Sequence, residues 1–484
     1  MVSLLTVVCL SLQAASVQAG GAEARVRKLA SQPPLASAQW GLCVKDAATG
    51  KTVVSLNEDK SLVPGSTLKL FASGAALSDL GSEHRFATVL HHDGVVAGRK
   101  LKGNLIIKGG GDPSLGSTLV RGGKAMEEVF ADWLKALSGA GVKTVEGDVV
   151  ADAALFDGPG IPGSWTWEDI GNYYAASAEG LSINDNLYRL VFAPGSRSGE
   201  PAVVLRLEPE VPGLSFENRM LTGPADTGDN GYIYNAPGGY RAVLRGSLPA
   251  GTSEFAIKGA LPEPALFASQ AFASFLKRSG IEVLGRAKVS QGPAPVDESK
   301  VLFRTESPAL KDIVRLTNKR SFNLYAEMLS RAVALKRGKS GSVAGAGAAV
   351  KEFLRSAGIE TSGLRLEDAC GLSRLDLTTA RAMTELLVFM SKSPVSADFQ
   401  ESLVFPGDPE GFGHIKDFGK GSVLEGSLRI KSGSLSGIRS YSGYFTNKAG
   451  RLLAFTFIVN NYTGSPAEIE RIHQDLLISL ALSK

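Results

Sequence analysis

The sequence has few cysteines, no excess of charge of one sign and no long hydrophobic run beyond its first residues. Its three cysteines among 484 residues are too few for a disulfide framework and match no zinc-binding spacing. Cys9 lies in the N-terminal segment, and the sequence leaves open whether Cys43 and Cys370 pair or lie buried as thiols. Lys and Arg total 52 against 48 for Asp and Glu, so the charge balance does not indicate a nucleic-acid partner.

Metal-binding and phosphate-binding patterns are also missing. The five histidines are scattered, and no HExxH pair is present. The run Gly109-Gly-Gly111 lacks the GK[ST] ending of a phosphate loop, so we interpret it as a tight turn. We therefore expect no metal and no cofactor.

The one long apolar run without charge is at the N-terminus, from Val2 to Ala19. Small residues at Val17 and Ala19 precede Gly20, which predicts a signal peptide over 1–19. The basic residues that usually begin such a segment are absent, so a membrane anchor is the alternative. Either interpretation predicts a protein that is periplasmic or exported to the cell envelope.

The rest of the chain alternates between helical and strand patterns. The periodicity predicts, in chain order, a hairpin over 40–56, a helix from about Ser66 to Leu80, short strands with helices near 122–138 and 263–279, two helices over 307–337 broken at 317–321, helices near 342–357 and 378–391, strands over 427–434, 439–446 and 451–460, and a helix over 466–482. Gly141, Gly280 and Gly358 follow helical patterns and are expected to end those helices in a left-handed conformation.

Ser66-Thr-Leu-Lys69 is the first candidate for chemistry. Ser and Lys three residues apart share a helix face, and at a helix N-terminus the free N–H groups favour a developing alkoxide. Lysine has a pKa of about 10.4 in model peptides and acts as a base only where burial or nearby cations lower it. Ser274-Phe-Leu-Lys277 has the same spacing inside a helix, where we interpret it as an ordinary surface.

Two further short motifs complete a set. Ser321-Phe-Asn323 lies where two predicted helices meet, and Lys431-Ser-Gly433 ends a predicted strand, with Ser434 following. Each triplet also occurs elsewhere, at 182–184 and 339–341, so only order and context are informative. A Ser-x-x-Lys at a helix start, a Ser-x-Asn at a bend and a Lys-Ser-Gly on a strand, in that order, are typical of penicillin-recognising serine enzymes.

On these motifs the sequence resembles the class C low-molecular-mass penicillin-binding proteins, the D-alanyl-D-alanine carboxypeptidase/endopeptidases. The matching segments are Pro64-Gly-Ser-Thr-Leu-Lys69, Gly103-Asn-Leu with Gly110-Gly-Asp-Pro113, Leu181-Ser-Ile-Asn-Asp-Asn186, Ser321-Phe-Asn-Leu-Tyr-Ala-Glu327 and Lys431-Ser-Gly-Ser-Leu-Ser-Gly437. The long stretch between the first and second motifs matches the insertion that marks this family. Two departures are Ser432, where Thr is usual, and Ala369-Cys370, where the family usually has Gly-Ser.

The resemblance implies an α/β (α+β) sandwich of the serine transpeptidase/beta-lactamase type, with an antiparallel sheet interrupted by two mostly β inserted domains. The expected transpeptidase domain is split into 20–88 and 301–484. The inserted domains occupy 89–300, with one nested at about 185–260.

The resemblance also implies the reaction and the residues that perform it. Ser66 attacks the penultimate D-Ala carbonyl of a peptidoglycan peptide, and Lys69 takes its proton. Ser321 with Lys431 relays a proton to the leaving amine, and Asn323 holds Lys69 and the substrate amide. The N–H groups of Ser66 and Ser434 form the oxyanion hole. Ser432 and Ser434 bind the terminal carboxylate, and Gly433 lets the substrate approach the backbone. Beta-lactam antibiotics acylate the same serine.

In this family a Trp, an acidic residue and a Tyr from the insertion surround a pocket for the free amine of the peptide's third residue. The spacing matches Trp165, Glu168 and Tyr173, which we favour. The alternative set is Trp167, Asp169 and Tyr174. Two tryptophans packed in a core beside a solvated acidic pair would explain the same pattern without a pocket.

Other functions remain open at this point. A beta-lactamase or esterase could share the same core. A cell-wall-binding homologue could keep the motifs without efficient catalysis, and a structural secreted protein could carry them by chance. The sequence does not distinguish carboxypeptidase from endopeptidase, nor does it give the oligomeric state.

Overall fold

The computed structural model describes residues 23, 24 and 26–483. These residues form two compact units. The first comprises the described residues up to Ser82, Val314–Phe322 and the residues from Gly347 onward, and the second comprises Glu83–Ile313 and Asn323–Ala346. The predicted signal peptide lies outside the described residues. In the part of the chain that is described, no helix is both long and apolar enough to cross a membrane.

The first unit is built on one sheet in which every pair of neighbouring strands is antiparallel. The five strands, in spatial order, are Arg429–Leu435, Ile438–Thr446, Leu452–Asn460, Gln39–Asp46 and Thr52–Leu56. The central strand, Leu452–Asn460, and its inner neighbour, Gln39–Asp46, are buried on both faces, which explains their near-continuous apolar sequence. The predicted hairpin and the predicted C-terminal three-strand pattern are both present. The sheet edge is the strand that carries Lys431.

Helices pack on this sheet. Those wholly within the first unit are Lys69–Leu80, Ala380–Lys392, Ser396–Glu401 and Pro466–Ala481. Two more run from one unit into the other, Leu310–Lys319 and Val343–Ser356. A single 3₁₀ turn, Gly65–Leu68, precedes the helix Lys69–Leu80, and Gly81 ends that helix with a φ of 87°. The nucleophile candidate Ser66 therefore lies in the tight turn, and Lys69 is the first α-helical residue.

The second unit contains four sheets. Two three-stranded sheets are formed by Leu187–Ala193, Val203–Glu208 and Phe255–Ala260, and by Ser215–Gly223, Asn230–Tyr234 and Arg241–Pro249. A four-stranded sheet contains Val95–Ala97, Lys100–Lys102, Thr144–Val145 and Glu282–Val283. A five-stranded sheet contains Ala87–His92, Leu105–Lys108, Val149–Asp152, Ala287–Val289 and Val301–Glu306.

Three helices belong to the second unit, and they are Met126–Gly139, Pro264–Arg278 and Asn323–Lys336. The first two pack through aromatic side chains: the Phe130 and Phe272 ring centroids are 5.2 Å apart, and Trp133 meets Phe272 edge-on at 5.0 Å. This buried cluster explains why both helices have an amphipathic sequence pattern. The predicted domain boundaries, with the nested domain at 185–260, stay a prediction.

One local expectation is confirmed. Gly141, Gly280 and Gly358 have φ angles of 77°, 78° and 76°, the left-handed conformation that ends a helix. The sequence left the pairing of Cys43 and Cys370 open, and in the structure both are buried thiols that form no disulfide with each other. Burial raises the pKa of the Cys43 thiol, and the neighbouring Glu58 carboxylate raises it further.

Candidate active site

Ser66 and Lys69 are in direct contact in the first unit. The turn Gly65–Leu68 leads into the helix that begins at Lys69, so the two side chains lie on one face, as their spacing predicts. The Lys69 Nζ is 2.9 Å from the Ser66 Oγ. Ser66 is half-buried, whereas Lys69 is fully buried. The hydroxyl of a candidate nucleophile is therefore hydrogen-bonded to a buried amine.

A loop that begins at Asp368 provides a second contact for Lys69, whose Nζ donates to the Cys370 carbonyl at 2.7 Å. The Asp368 carboxylate holds this loop, because it accepts hydrogen bonds from the N–H groups of Cys370, Gly371 and Ser373. A Cβ on Gly371 would lie 1.9 Å from the Gly65 carbonyl oxygen, so the loop and the nucleophile turn touch through backbone. This loop is the segment in which Ala369-Cys370 replaces the Gly-Ser of the family that the sequence resembles.

Asp376 lies buried behind the same loop. One of its carboxyl oxygens accepts hydrogen bonds from the N–H groups of Glu367 and Asp368. Burial, followed by repulsion from the Asp368 carboxylate, raises the pKa of Asp376 to about 10. At neutral pH Asp376 is therefore a neutral carboxylic acid.

Ser321 and Lys431 form a second serine–lysine pair in the first unit. Ser321 follows the end of the helix Leu310–Lys319 and has a φ of 56°, so its side chain leaves the helix axis. The Lys431 Nζ donates to the Ser321 Oγ at 3.0 Å and to the Ser432 carbonyl at 2.7 Å. Burial lowers the pKa of Lys431 well below its usual value, and the charge of Lys69 lowers it further.

The bend that presents Ser321 is fixed by buried polar contacts. Lys319 forms an ion pair with Asp408 at 2.7 Å, and both side chains are buried. One residue earlier, the Asn318 amide donates to the Ser73 and Ser402 hydroxyls. Lys319 also lies 3.3 Å from a Glu410 carboxylate oxygen. Removing Lys319 would leave the buried Asp408 charge uncompensated, so these contacts hold the end of the helix in one place.

The strand Arg429–Leu435 lies directly against the nucleophile turn. A Cβ on Gly433 would lie 2.5 Å from the Pro64 carbonyl oxygen and 2.8 Å from the Ser66 nitrogen. A Cβ on Gly65 would lie 3.1 Å from the Ser434 nitrogen. Only glycine fits this approach, and it brings the backbone nitrogens of Ser66 and Ser434, the two predicted oxyanion donors, to the same contact. Ser432 is half-buried and Ser434 is exposed.

Asn323 belongs to the second unit, where it begins the helix Asn323–Lys336. Its side-chain amide is half-buried and donates to the Tyr174 carbonyl at 2.7 Å. This contact ties Asn323 to the segment that carries the predicted amine pocket. The catalytic role of Asn323 stays a prediction.

The predicted pocket residues differ in exposure within the second unit. Trp165 is buried, with 6% of its surface exposed, whereas Tyr173 is 40% exposed. Glu168 is exposed, and in the described part of the chain its carboxylate has no hydrogen bond or ion pair. Of the alternative set, Trp167 is 69% exposed and stacks near Tyr234, with ring centroids 5.0 Å apart.

The carboxylate of the neighbouring acid, Asp169, already has a hydrogen-bond donor. Its carboxylate accepts a hydrogen bond from the Thr166 hydroxyl at 2.6 Å. Burial raises the pKa of Tyr174, and the charge of Asp169 raises it further. Glu168 is therefore the acid with the more available carboxylate, while the exposed indole is that of Trp167.

Sequence reasoning missed the supporting residues of the site. Asp368, Gly371 and Asp376 hold the loop that contacts Lys69, and Lys319 with Asp408 fixes the bend at Ser321. The segment that contains Cys370 entered the sequence analysis only as a departure from the resembled family, and that departure indicated no role for Asp368 or Gly371. The Lys319–Asp408 pair carried no sequence signal, because its members are far apart in the chain.

Comparisons with known proteins agree with this geometry. The sequence model of the D-Ala-D-Ala carboxypeptidase 3 (S13) family matches residues 22–479. A D-alanyl-D-alanine carboxypeptidase of Actinomadura sp. (strain R39) is 30% identical over 439 residues, which are 89% of this chain and 79% of the relative. The D-alanyl-D-alanine carboxypeptidase DacB of Haemophilus influenzae is 26% identical over 436 residues, which are 88% of this chain and 86% of the relative.

The fold is also found among solved structures. Penicillin binding protein 4 (dacB) from Haemophilus influenzae matches with a TM-score of 0.77 at 24% identity, covering 92% of this chain and 96% of that one. This likeness confirms the predicted fold class. Because the family model and the Actinomadura relative both span most of the sequence, the chain belongs to the D-Ala-D-Ala carboxypeptidase 3 (S13) family, and the predicted family and enzyme class are confirmed.

Proposed function

We propose that the chain performs the carboxypeptidase reaction of its family through an acyl-enzyme on Ser66. The Ser66 oxygen attacks the carbonyl carbon of the penultimate D-Ala of a peptidoglycan peptide, while Lys69 accepts the hydroxyl proton. The bond to the terminal D-Ala breaks, and the leaving amine takes a proton from Ser321, which Lys431 replenishes. Water then attacks the ester carbonyl carbon and the bond to the Ser66 oxygen breaks. The proton released by water goes to that oxygen, and the proton held by Lys69 returns to Lys431.

Two features of the first unit support this assignment of roles. The Ser66–Lys69 and Ser321–Lys431 pairs are each held at hydrogen-bond distance, 2.9 and 3.0 Å. The lowered pKa of Lys431 favours transfer of a proton from its amine to Ser321. The backbone nitrogens of Ser66 and Ser434 are placed to stabilise the oxyanion, and losing one such donor typically costs about 3 kcal/mol of barrier.

The observation that carries the proposal is the hydrogen bond between Ser66 and a buried Lys69 that also meets the Cys370 carbonyl. The experiment that tests it is mass spectrometry after exposure to a penicillin. We expect one adduct per chain, on a peptide that contains Ser66. An adduct on Ser182 or Ser274 would overturn the assignment.

Turnover of the acyl-enzyme separates carboxypeptidase from beta-lactamase activity. We expect a penicillin adduct that persists and a D-Ala-D-Ala peptide that is hydrolysed repeatedly. Rapid turnover of penicillin without peptide cleavage would favour the beta-lactamase alternative. A solved Haemophilus influenzae structure of this fold is a complex with a beta-lactam, which supports beta-lactams as ligands here. Cross-linked and linear peptides assayed together would measure the share of endopeptidase activity.

We also propose that the insertion recognises a free amine on the third residue of the peptide, through Glu168 with Tyr173 and Trp165. Glu168 is exposed and its carboxylate is available, and the ring of Tyr173 is partly exposed. A carboxylate paired with an ammonium gains further from aromatic faces, by about 0.5–2 kcal/mol. Trp165 is the weakest member of the set, because its side chain is buried.

Matched variants decide between the two possible acids. Peptides with a free third-residue amine should be cleaved faster than their N-acetylated versions. Glu168→Gln should remove most of that preference and leave penicillin acylation of Ser66 intact, while Asp169→Asn should keep the preference. The reverse result would assign the pocket to Trp167, Asp169 and Tyr174. Equal rates on both peptides in the unaltered protein would reject the pocket.

We propose that the protein is periplasmic or exported to the cell envelope, and its substrate class supports this. Cell fractionation and N-terminal sequencing of the mature protein test this. We expect an N-terminus near Gly20 in the envelope fraction, and an intact N-terminus in the cytoplasm would contradict it.

A further inference from the structure

One three-stranded sheet of the second unit has an exposed face. It consists of Ser215–Gly223, Arg241–Pro249 and, at one edge, Asn230–Tyr234. Ile233 and Leu244 lie opposite each other in this sheet and are fully buried, so they belong to its inner face. Because side chains alternate along a strand, the residues on either side of these two positions point outward. We call this outward side the open sheet face.

Aromatic rings line one edge of the open sheet face. Tyr232 and Tyr234 project from the edge strand, with ring centroids 6.1 Å apart and ring planes inclined by 29°. Trp167 lies against Tyr234, with centroids 5.0 Å apart, and extends the row. Tyr232 is 45% exposed and Trp167 is 69% exposed. Neighbouring exposed aromatic rings are typical of a binding surface, and these three residues form what we call the aromatic strip.

The same face has a surplus of positive charge, since its three strands contain three arginines and one acid. Arg245 lies directly opposite Tyr232 on one side and Arg219 on the other, and like charges directly opposite each other are unfavourable. Arg219 and Arg241 both form ion pairs with Glu217. A hydrogen bond from Arg219 and the charges of all three arginines lower the pKa of Glu217. Within the described residues Arg245 has no ion pair of its own, so the face can accept further negative charge.

The aromatic strip is continuous with the segment that we assign to substrate recognition. Burial and Asp169 raise the pKa of the Tyr174 hydroxyl, and Tyr232 lies close enough to raise it further. The Tyr174 ring in turn meets the Tyr173 ring, with centroids 5.3 Å apart. A ligand that extends beyond the proposed amine pocket would therefore meet the open sheet face.

We propose that the open sheet face binds polymeric peptidoglycan, with the aromatic strip against sugar rings and the arginines against carboxylates of the attached peptides. Sugar rings have flat faces of C–H groups that pack on aromatic rings, and guanidinium groups match carboxylates in charge and geometry. This inference rests on the proposed function, because it takes peptidoglycan as the substrate. It adds a surface that holds the enzyme on the polymer and takes no part in the reaction.

The test is cosedimentation of the protein with purified insoluble peptidoglycan. Protein treated with penicillin is used, so that binding reports on surfaces other than the active site. Combining Tyr232→Ala with Arg245→Gln should raise the apparent Kd by about 5- to 20-fold, because an exposed aromatic contact and an exposed ion pair each contribute modestly. Tyr232→Phe keeps the ring and should bind like the unaltered protein. Added salt should weaken binding of the unaltered protein, and less so in Arg245→Gln.

Arg206→Gln is the matched control. It removes an exposed arginine from the other three-stranded sheet of the same unit, where Glu208 and Glu254 already balance the charge at 2.6 and 2.7 Å. Binding to peptidoglycan should not change in this variant. An equal loss in Arg206→Gln, or no loss in the double variant, would overturn the inference. Thermal unfolding should give the same melting temperature for all the variants, since every substituted side chain is exposed.

Two further measurements test other occupants of the open sheet face. Sedimentation velocity would detect a dimer, and a dimer that the double variant dissociates would assign the face to a second copy of this chain. Equal binding to phosphatidylglycerol vesicles, lost in the same variant, would assign it to a lipid surface. Either result would overturn the inference, whereas a monomer that binds peptidoglycan and not the vesicles supports it.

Activity on a small substrate separates this inference from the proposed function. The double variant should hydrolyse a soluble D-Ala-D-Ala peptide and form the penicillin adduct on Ser66 at the rates of the unaltered protein. If the unaltered protein forms no adduct, the proposed function fails, and the cosedimentation result still decides whether the open sheet face binds the polymer. If the adduct forms and the double variant binds peptidoglycan normally, only the role of this face fails.

Discussion

The chain contains the same four-residue spacing twice, at Ser66–Lys69 and at Ser274–Lys277, and the two regions differ in every physical respect that matters for catalysis. Ser66 lies in a 3₁₀ turn at the start of a helix, and Lys69 is buried between the Ser66 hydroxyl and the Cys370 carbonyl. Ser274 and Lys277 lie inside the helix Pro264–Arg278 and are exposed, and Arg278 donates to the Ser274 hydroxyl at 2.8 Å.

The difference lies in what surrounds each pair rather than in the spacing. Inside a helix the backbone N–H groups are already bonded to carbonyls four residues earlier, so Ser274 has no free donors for an oxyanion. A solvated lysine has no reason to lose its proton at neutral pH. Around Ser66, groups from distant parts of the sequence come together. The loop after Asp368 supplies the Cys370 carbonyl, and the edge strand supplies Lys431 and a backbone that lies close to the nucleophile turn.

The largest expected contrast is between alanine substitutions of the two serines. Ser66→Ala should abolish penicillin acylation and peptide hydrolysis, because it removes the attacking oxygen. Ser274→Ala should leave both at the level of the unaltered protein. Intact-mass measurement after penicillin treatment checks the pair, with circular dichroism to show that both variants fold. Residual labelling of Ser66→Ala would mean that another residue is the nucleophile.

The next contrast is between arginine substitutions of the two lysines. Lys69→Arg keeps a positive charge, but arginine stays protonated above about pH 12, so it cannot accept the Ser66 proton. Acylation by penicillin should slow by about 10²–10⁴-fold, the usual contribution of a general base. Lys277→Arg should have no effect on the rate. Near-normal acylation of Lys69→Arg would show that Lys69 is not the base.

A third contrast concerns the sheet edge that only the Ser66 region has. An alanine at Gly433 would place its Cβ 2.5 Å from the Pro64 carbonyl oxygen, so the strand must move away from the nucleophile turn. The oxyanion donors then separate, and acylation should fall by about 10²–10³-fold. Gly426→Ala is the control, since a Cβ there meets no atom within 4 Å. Stopped-flow acylation rates measure both, and similar rates for the two variants would contradict the proposed oxyanion hole.

Much of this architecture could be predicted because its signals are local. The hairpin at 40–56, the C-terminal strands and the helix limits followed from alternation, helical periodicity and glycine caps. Ser66, Lys69, Ser321 and Lys431 were found because their motifs are short and fall at helix and strand ends. The structure brings Ser66 to Lys69, and Ser321 to Lys431, as those motifs predicted.

The supporting contacts could not be predicted, because they depend on residues that are distant in sequence. Nothing in the residues around Lys319 indicates that it pairs with Asp408. The burial of Trp165 and the exposure of Trp167 depend on how the insertion packs, and two neighbouring tryptophans have the same local signal.

The smallest expected effect concerns Asp376, the buried acid behind the loop that contacts Lys69. The Ser274 region has no such acid. In the unfolded chain an aspartic acid ionises near pH 4, whereas burial and the charge of Asp368 raise the pKa of Asp376 to about 10 in the folded protein. Between these values the folded state holds one more proton than the unfolded state. This contribution to stability is complete below about pH 4 and falls as the pH rises, by up to about 1.4 kcal/mol per pH unit, until it levels off above about pH 10.

Asp376→Asn should remove this dependence, because an amide cannot ionise. Its carbonyl oxygen can still accept hydrogen bonds from the N–H groups of Glu367 and Asp368, and its NH₂ group can donate to the Asp368 carboxylate. We therefore expect a flatter plot of unfolding free energy against pH between about 5 and 9, and a variant more stable than the unaltered protein at pH 8 by at least about 1 kcal/mol. Urea unfolding at several pH values measures the slope, with Asp475→Asn on the exposed face of the last helix as a control that should leave it unchanged. A slope equal to that of the unaltered protein would show that Asp376 is ionised in the folded state and that another group holds the loop beneath Lys69.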